Sequence, residues 1–237
     1  MGSAFQTLLQ NWDGEQVAVR YDAELATWMF IAVHSTRLGP AAGGTRMRVY
    51  ERPEDGLADA LKLSGAMTRK FAVCDVPRGG GKAVLAVPRL FEGSERVELM
   101  HRYGEFISSL SGLYATAPDM NTSERDMDVI AERCEHVFCR SEANGGSGST
   151  APATAMGVFY GIRASVGGDL RGVRVLVQGV GAVGAVLVRA LDAAGAEVAV
   201  SDVDPSRVSG RAVDPADVIG TECDVFAPCA AGGVIGF

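Results

Sequence analysis

The 237-residue sequence predicts an α/β fold in two parts, on three observations. Short β-branched runs alternate with longer helix-forming runs along the chain. A stretch rich in glycine and serine, Asn144-Gly145-Gly146-Ser147-Gly148-Ser149-Thr150, interrupts that alternation. Beyond it, the turn Gly179-Val180-Gly181-Ala182-Val183-Gly184 joins a strand-like run to a helix-like run and a second strand, which is a β-α-β unit. The expected division is residues 1–150 and 151–237.

In the first part, residues 17–21 and 27–35 read as strands, and Asp22-Ala23-Glu24 between them suggests a hairpin. Residues 37–44 read as a loop and 45–50 as a third strand. A helix is expected over 53–70, with Pro53 and two acids in its first turn. Residues 83–87 read as a strand. Residues 96–110 read as a helix with Val97, Met100, Tyr103, Ile107 and Leu110 near one face. A strand over 113–116 follows, then a helix capped by Ser123. Residues 144–150 are expected to be a mobile loop. Pro152 opens a helix to residue 166 that is expected to cross into the second part.

The second part carries its chemistry in one stretch. Residues 173–178 are β-branched and short, a buried strand. Residues 185–194 read as a helix ending at Gly195, and 197–202 as the next strand. In such a turn the first glycine permits the bend, the second lets backbone approach a pyrophosphate, and the third lets helix pack on strand. The helix N-terminus offers unpaired N–H groups to an anion. Asp202 stands where a carboxylate can accept hydrogen bonds from ribose hydroxyls and would repel a 2′-phosphate, so NAD is favoured over NADP.

Bulk properties exclude several classes. The net charge of −7 argues against nucleic acid and against an anionic membrane surface. No apolar run is long enough to cross a bilayer. The N-terminal stretch, with Asp13 and Glu15, does not read as a secretory leader. Cys74, Cys134, Cys139, Cys223 and Cys229 form no CxxC pair and read as reduced cytoplasmic thiols, most of them buried. His34, His101 and His136 have no metal-like spacing with them and read as structural, so no metal is expected.

A second constellation runs through Met67-Thr68-Arg69-Lys70 and Val73-Cys74-Asp75-Val76-Pro77-Arg78-Gly79-Gly80-Gly81-Lys82. The glycines could let a substrate press against backbone. A lysine desolvated in a cleft, or beside another cation, loses proton affinity and can act as a base near neutral pH. Equally, the lysines could be solvated and the glycines a plain loop.

The chain resembles the glutamate/leucine/phenylalanine/valine dehydrogenase family. The resemblance rests on Leu38-Gly39-Pro40-Ala41-Ala42-Gly43-Gly44-Thr45-Arg46, the two lysine segments and Pro118-Asp119-Met120-Asn121-Thr122. Asp126-Met127-Asp128, the glycine turn and Ala227-Pro228-Cys229-Ala230 add to it. It implies an N-terminal α/β domain for substrate binding and oligomerisation, followed by a Rossmann-like NAD-binding domain, with the active site in the cleft between them. It also implies reversible oxidative deamination of an L-amino acid to a 2-oxo acid and ammonium, in a homo-oligomer. Carried over by residue, Lys70 would bind the α-carboxylate, Lys82 would be the general base, and Asp119 would orient the amine and shuttle protons. Gly43 and Gly44 would present backbone to the substrate, and Thr154 would contact the nicotinamide carboxamide.

Substrate choice turns on Ala42, where glutamate dehydrogenases carry a lysine that pairs with the side-chain carboxylate. Alanine cannot pair with it, so glutamate is not expected. Ala42 and Ala117 leave room for a large apolar side chain, phenylalanine before leucine or valine. The segments 11–15 and 139–148 also look closest to the phenylalanine-type members. Two departures stand out. Residues 224–227 read as the third strand of the dinucleotide fold, whereas family members continue for roughly another hundred residues. The chain is therefore expected to be partial or truncated, with the apolar tail Gly232-Gly233-Val234-Ile235-Gly236-Phe237 leaving exposed core. Arg69 and Arg78 stand where apolar neighbours are expected, and either depress the lysines further or point outward. A non-catalytic fragment that binds NAD or forms oligomers remains the alternative.

Overall fold

The computed structural model describes residues 4–230. The chain divides into two compact units between Ser149 and Thr150. The first contains α1 (Ala4–Gln10), β1 (Gln16–Asp22), β2 (Thr27–Ser35), β3 (Ala41–Arg48), α2 (Pro53–Val73), β4 (Gly79–Ala86), α3 (Gly93–Ser108), β5 (Tyr114–Pro118) and α4 (Glu124–Ala131). Its five strands lie in the order β1-β2-β4-β3-β5. β1, β2 and β4 pair antiparallel in succession, while β3 runs parallel to both β4 and β5.

Local chemistry explains the ends of these elements. Asp22 closes the β1–β2 hairpin by accepting the Glu24 and Leu25 N–H groups on Oδ1. α2 opens on Pro53 followed by Glu54 and Asp55, which suit the positive end of the helix dipole. α4 opens on a capping box: the Ser123 hydroxyl accepts from the Asp126 N–H, and Asp126 accepts from the Ser123 N–H. The strand period then sorts the sheet into two faces. Met29, Ile31, Met47, Ala83 and Leu85 pack with α3 and α4. Phe30, Ala32, Val84 and Ala86 pack with Leu57, Ala60 and Leu61 of α2.

Several expectations need correction. β3 begins at Ala41, so Ala42, Gly43 and Gly44 are strand and not loop. β4 begins at Gly79, so the triple glycine is also strand. Propensity disfavours glycine there, but packing requires it: a Cβ on Gly80 would collide with Thr68 of α2. In α3 the buried face is Leu99, Met100, Tyr103, Phe106 and Ile107, whereas Val97 is exposed. Backbone hydrogen bonds link residues 144–150 to the segment before them. The Gly146 N–H donates to Ser141 O, the Gly148 N–H to Arg140 O, and the Ser141 N–H to Asp128 Oδ1. Of the five free cysteines only Cys134 is buried, and Cys74 is exposed.

The second unit contains α5 (Ala151–Ser165), β6 (Arg174–Gln178), α6 (Ala182–Ala193), β7 (Glu197–Ser201), β8 (Arg211–Ala212) and β9 (Val225–Pro228). α5 therefore belongs wholly to this unit. The strands are parallel, in the order β8-β7-β6-β9. Val175, Val177, Val200 and Ala227 pack against Ala155 and Ile162 of α5 and Leu187 and Leu191 of α6. β8 was not expected, since two exposed residues carry no period to read. β9 is thus the fourth strand of the unit and not the third. The apolar tail over 232–237 lies outside the described residues. Among the described residues no helix is long and apolar enough to cross a membrane, and no cluster of His, Cys, Asp and Glu could hold a metal ion.

Candidate active site

The parallel register of the first sheet brings distant residues onto one face. Ala42 pairs with Gly80 and Ala115, and Gly44 pairs with Ala117. The same register sets Lys82 level with Gly44 on the neighbouring strand, beside its antiparallel partner Ala32. One pleat further, Arg46 and Asp119 follow. Lys82, Gly44, Ala117, Arg46 and Asp119 therefore share the α2 face. Only glycine lets Asp119 approach β3 this closely: a Cβ on Gly44 would sit 2.7 Å from Pro118 O and 2.9 Å from Asp119 Cβ. Gly43 points to the opposite face, and its carbonyl accepts a 2.6 Å hydrogen bond from Tyr114 OH.

Lys82 Nζ lies 3.0 Å from Asp119 Oδ1, with the lysine side chain 6% exposed and the aspartate 26%. Asp119 Oδ2 accepts from Arg46 Nε at 3.0 Å. Burial drives the Lys82 ammonium below its ordinary proton affinity; Asp119 pulls it back up, while Arg46 and Lys70 push it further down. Burial pushes Asp119 up, but Lys82 and Arg46 outweigh it and hold the carboxyl below the usual range. The arrangement can keep a carboxylate ionised beside an amine poised to lose its proton, which is a proton-transfer pair.

Of the residues expected here, the structure brings Lys82, Asp119, Gly44 and Ala117 together, with Ala42 one pleat away and buried. Lys70 is exposed in the last turn of α2. Arg69 and Arg78 are not the cations that act most on Lys82. Arg69 is exposed, and the Arg78 guanidinium sits 5.1 Å from the centre of the Phe138 ring. The cation missed is Arg46, which also donates to Asp59 of α2 at 3.0 Å. Its signal was present: Arg46 follows Gly44 by one strand period, which sends it to the same face.

In the second unit the glycine turn lies where the strand order reverses at β6. Gly179 adopts φ of +89° and leads out of β6. Gly181 caps α6 without a side-chain hydrogen bond, and a Cβ there would meet open space. A Cβ on Gly184 would collide with Gly179 O, so only glycine lets α6 start this close to the strand. Val180, Ala182 and Val183 complete the turn, with Ala182 and Val183 already in the helix. Asp202 accepts the Val180 N–H on Oδ2 at 2.7 Å and the Asp204 N–H on Oδ1 at 2.9 Å. Each oxygen keeps a lone pair for a further donor. Thr154 is exposed in the first turn of α5.

A family model described as the dimerisation domain of the Glu/Leu/Phe/Val dehydrogenases matches residues 17–136. The chain belongs to this family. Among its relatives in the Glu/Leu/Phe/Val dehydrogenase family, leucine dehydrogenase of Geobacillus stearothermophilus is 43% identical over 96% of this chain and 65% of its own length. Valine dehydrogenase of Streptomyces virginiae is 42% identical, over 93% of this chain and 65% of its own. L-tryptophan dehydrogenase from Nostoc punctiforme has a solved structure that superimposes with a TM-score of 0.66 at 35% identity, covering 98% of this chain and 68% of that one. Hetero-hexameric glutamate dehydrogenase from Thermus thermophilus shares the fold, with a TM-score of 0.73 at 22% identity over 98% of this chain and 68% of its own. The chain spans 65% of the length of the leucine dehydrogenases it matches.

Proposed function

We propose that this chain carries the proton-transfer residues and the nucleotide turn of an NAD-dependent amino-acid dehydrogenase. The reaction is reversible oxidative deamination of an apolar L-amino acid to its 2-oxo acid and ammonium. The observation that carries the reading is Lys82 held 3.0 Å from Asp119, its proton affinity lowered by burial first and by Arg46 and Lys70 after it.

In this reading the exposed Lys70 ammonium attracts the substrate α-carboxylate. Asp119, ionised beside Arg46, accepts a hydrogen bond from the substrate amine and takes up its proton. Lys82, once neutral, removes a proton from the water that adds to the iminium carbon. Asp119 then returns its proton to the departing amine and, ionised again, favours the ammonium form of Lys82. The second unit fits a Rossmann-like dinucleotide site: open space over Gly181, an α6 N-terminus without a side-chain cap and Asp202 at the end of β7 would hold pyrophosphate and ribose. Bound NAD would supply the hydride acceptor, and Thr154 would meet its carboxamide.

An apolar side chain is supported by Ala42, which offers no counter-charge for a glutamate carboxylate, and by relatives named for leucine, valine and tryptophan. Ala42 and Ala117 favour phenylalanine before leucine or valine. A homo-oligomer is supported by the family model's description as a dimerisation domain, and a cytoplasmic setting by five free cysteines. The second reading is a chain that binds NAD or assembles without turning over.

One experiment separates the two. NADH formation is followed at alkaline pH with phenylalanine, leucine, valine, tryptophan and glutamate, for the chain and for Lys82→Ala. The dehydrogenase reading expects turnover on the apolar substrates and a loss of about 10²-fold or more in the variant, with NAD binding kept. NAD binding without turnover by the parent chain supports the second reading. A variant as fast as the parent removes Lys82 from the mechanism.

A further inference from the structure

We propose that Arg46 is a positioning residue: it grips one oxygen of Asp119 and so reserves the other for the Lys82 ammonium. The inference deepens the dehydrogenase reading and rests on it for the word catalysis, though not for its geometry. Three observations carry it. The Asp119 oxygens are divided, Oδ1 to Lys82 Nζ and Oδ2 to Arg46 Nε, each at 3.0 Å. Arg46 is itself held, since its Nη1 donates to Asp59 Oδ2 at 3.0 Å and Asp59 also accepts from Tyr50 OH at 2.8 Å. The Arg46 side chain is only 17% exposed, so water screens its charge poorly. A chain of alternating charge thus runs from Lys82 through Asp119 and Arg46 to Asp59, tying β4 to the end of β5, to β3 and to α2.

A carboxylate gripped at both oxygens cannot rotate away from the amine it serves, and reaction rates fall steeply with small misplacement. The charges facing Lys82 are Asp119 after β5, Arg46 on β3 and Lys70 on α2. Its partner on β2 is the uncharged Ala32, and its own strand flanks it with Gly81 and Ala83. Arg46 acts on Lys82 by repelling the ammonium directly, while Asp59 partly cancels that repulsion through its own negative charge.

The test follows the Lys82 side chain by NMR titration in the whole chain and in three variants, each checked for folding by circular dichroism. Arg46→Met removes a positive charge, and the Lys82 midpoint is expected to rise by about one pH unit. Asp59→Asn removes a negative charge, and the midpoint is expected to fall. Loosening of the fold would let water reach the amine and raise the midpoint in both. Opposite signs therefore separate electrostatic positioning from structural damage. Arg46→Lys keeps the charge but not the planar fork, so its midpoint stays near the parent value while kcat falls about tenfold at nearly constant KM. If Arg46→Met does not fold, Arg46→Gln takes its place. Shifts of the same sign in Arg46→Met and Asp59→Asn, or an unmoved midpoint in Arg46→Met or its Arg46→Gln replacement, overturn the proposal. Absence of turnover in the parent chain would sink the functional reading but leave the titration decisive; turnover with unmoved midpoints would sink the Arg46 proposal alone.

Discussion

In the second unit, the residues that would hold pyrophosphate and ribose run contiguously from Gly179 to Asp202: bend, helix start, strand and acid. In the first unit, Lys82 and Asp119 come from different parts of the chain. They touch only because β3, with glycines at positions 43 and 44, stands between their strands. One arrangement is local and consists of backbone; the other is a tertiary assembly of buried charges. A local turn can be read as a motif with a physical reason for each residue. An assembled charge cluster has to be derived from register, and its energetics depend on every partner being present.

The largest expected effect breaks the assembled cluster. Asp119→Asn removes the counter-charge of Lys82 and leaves Arg46 facing an amide. The lysine is expected to lose still more proton affinity, and turnover to drop about 10²- to 10⁴-fold, measured as NADH formation. Next come substitutions that test whether glycine is structural in both regions. Gly80→Val would drive a side chain into Thr68 of α2, and Gly184→Val one into Gly179 O. Each is expected to cost about 1–3 kcal/mol or more in urea unfolding. Gly184→Val should also weaken NAD binding, whereas Gly80→Val should leave it near the parent value.

A subtler test uses pH. The folded state holds Lys82 below its ordinary value of 10.5, so between those two values the unfolded chain binds more protons than the folded one. This group's contribution to stability therefore rises with pH through that window, and is smallest below it. Urea midpoints across the window should show a slope that Lys82→Met reduces. The smallest effects belong to the local region and to helix ends. Asp202→Ala removes the acceptor of the Val180 N–H and is expected to weaken NAD binding or relax its preference over NADP, read by titration with both cofactors. Ser123→Ala breaks the α4 capping box and should cost about 1 kcal/mol in the same unfolding assay.

This contrast also sets what the sequence could disclose. The β1–β2 hairpin, the start of α2, the Ser123 cap and the β6-α6-β7 unit all rest on signals within a few residues, and all were legible. The glycines of β3 and β4 were misread as loop because glycine's local preference opposes strand; close approach of Thr68 and Asp119 overrides it. The buried face of α3 was misread because Val97 and Leu99 are equally apolar, and only the packed sheet chooses between them. Lys82 and Asp119 could be named through resemblance, yet their contact depends on a parallel register that spacing does not reveal. Arg46 was overlooked because its two partners, Asp59 and Asp119, lie on elements far apart in sequence.

The central claim is that folding turns Lys82 into a base: burial, helped by Arg46 and Lys70, outweighs the pull of Asp119 toward the ammonium form. An NMR titration of the Lys82 side chain in the unmodified chain measures this directly. The account predicts a midpoint below the ordinary lysine value of 10.5. A midpoint at or above that value would mean that Asp119 simply holds an ammonium in a structural ion pair, and the proton-transfer role would have to be abandoned.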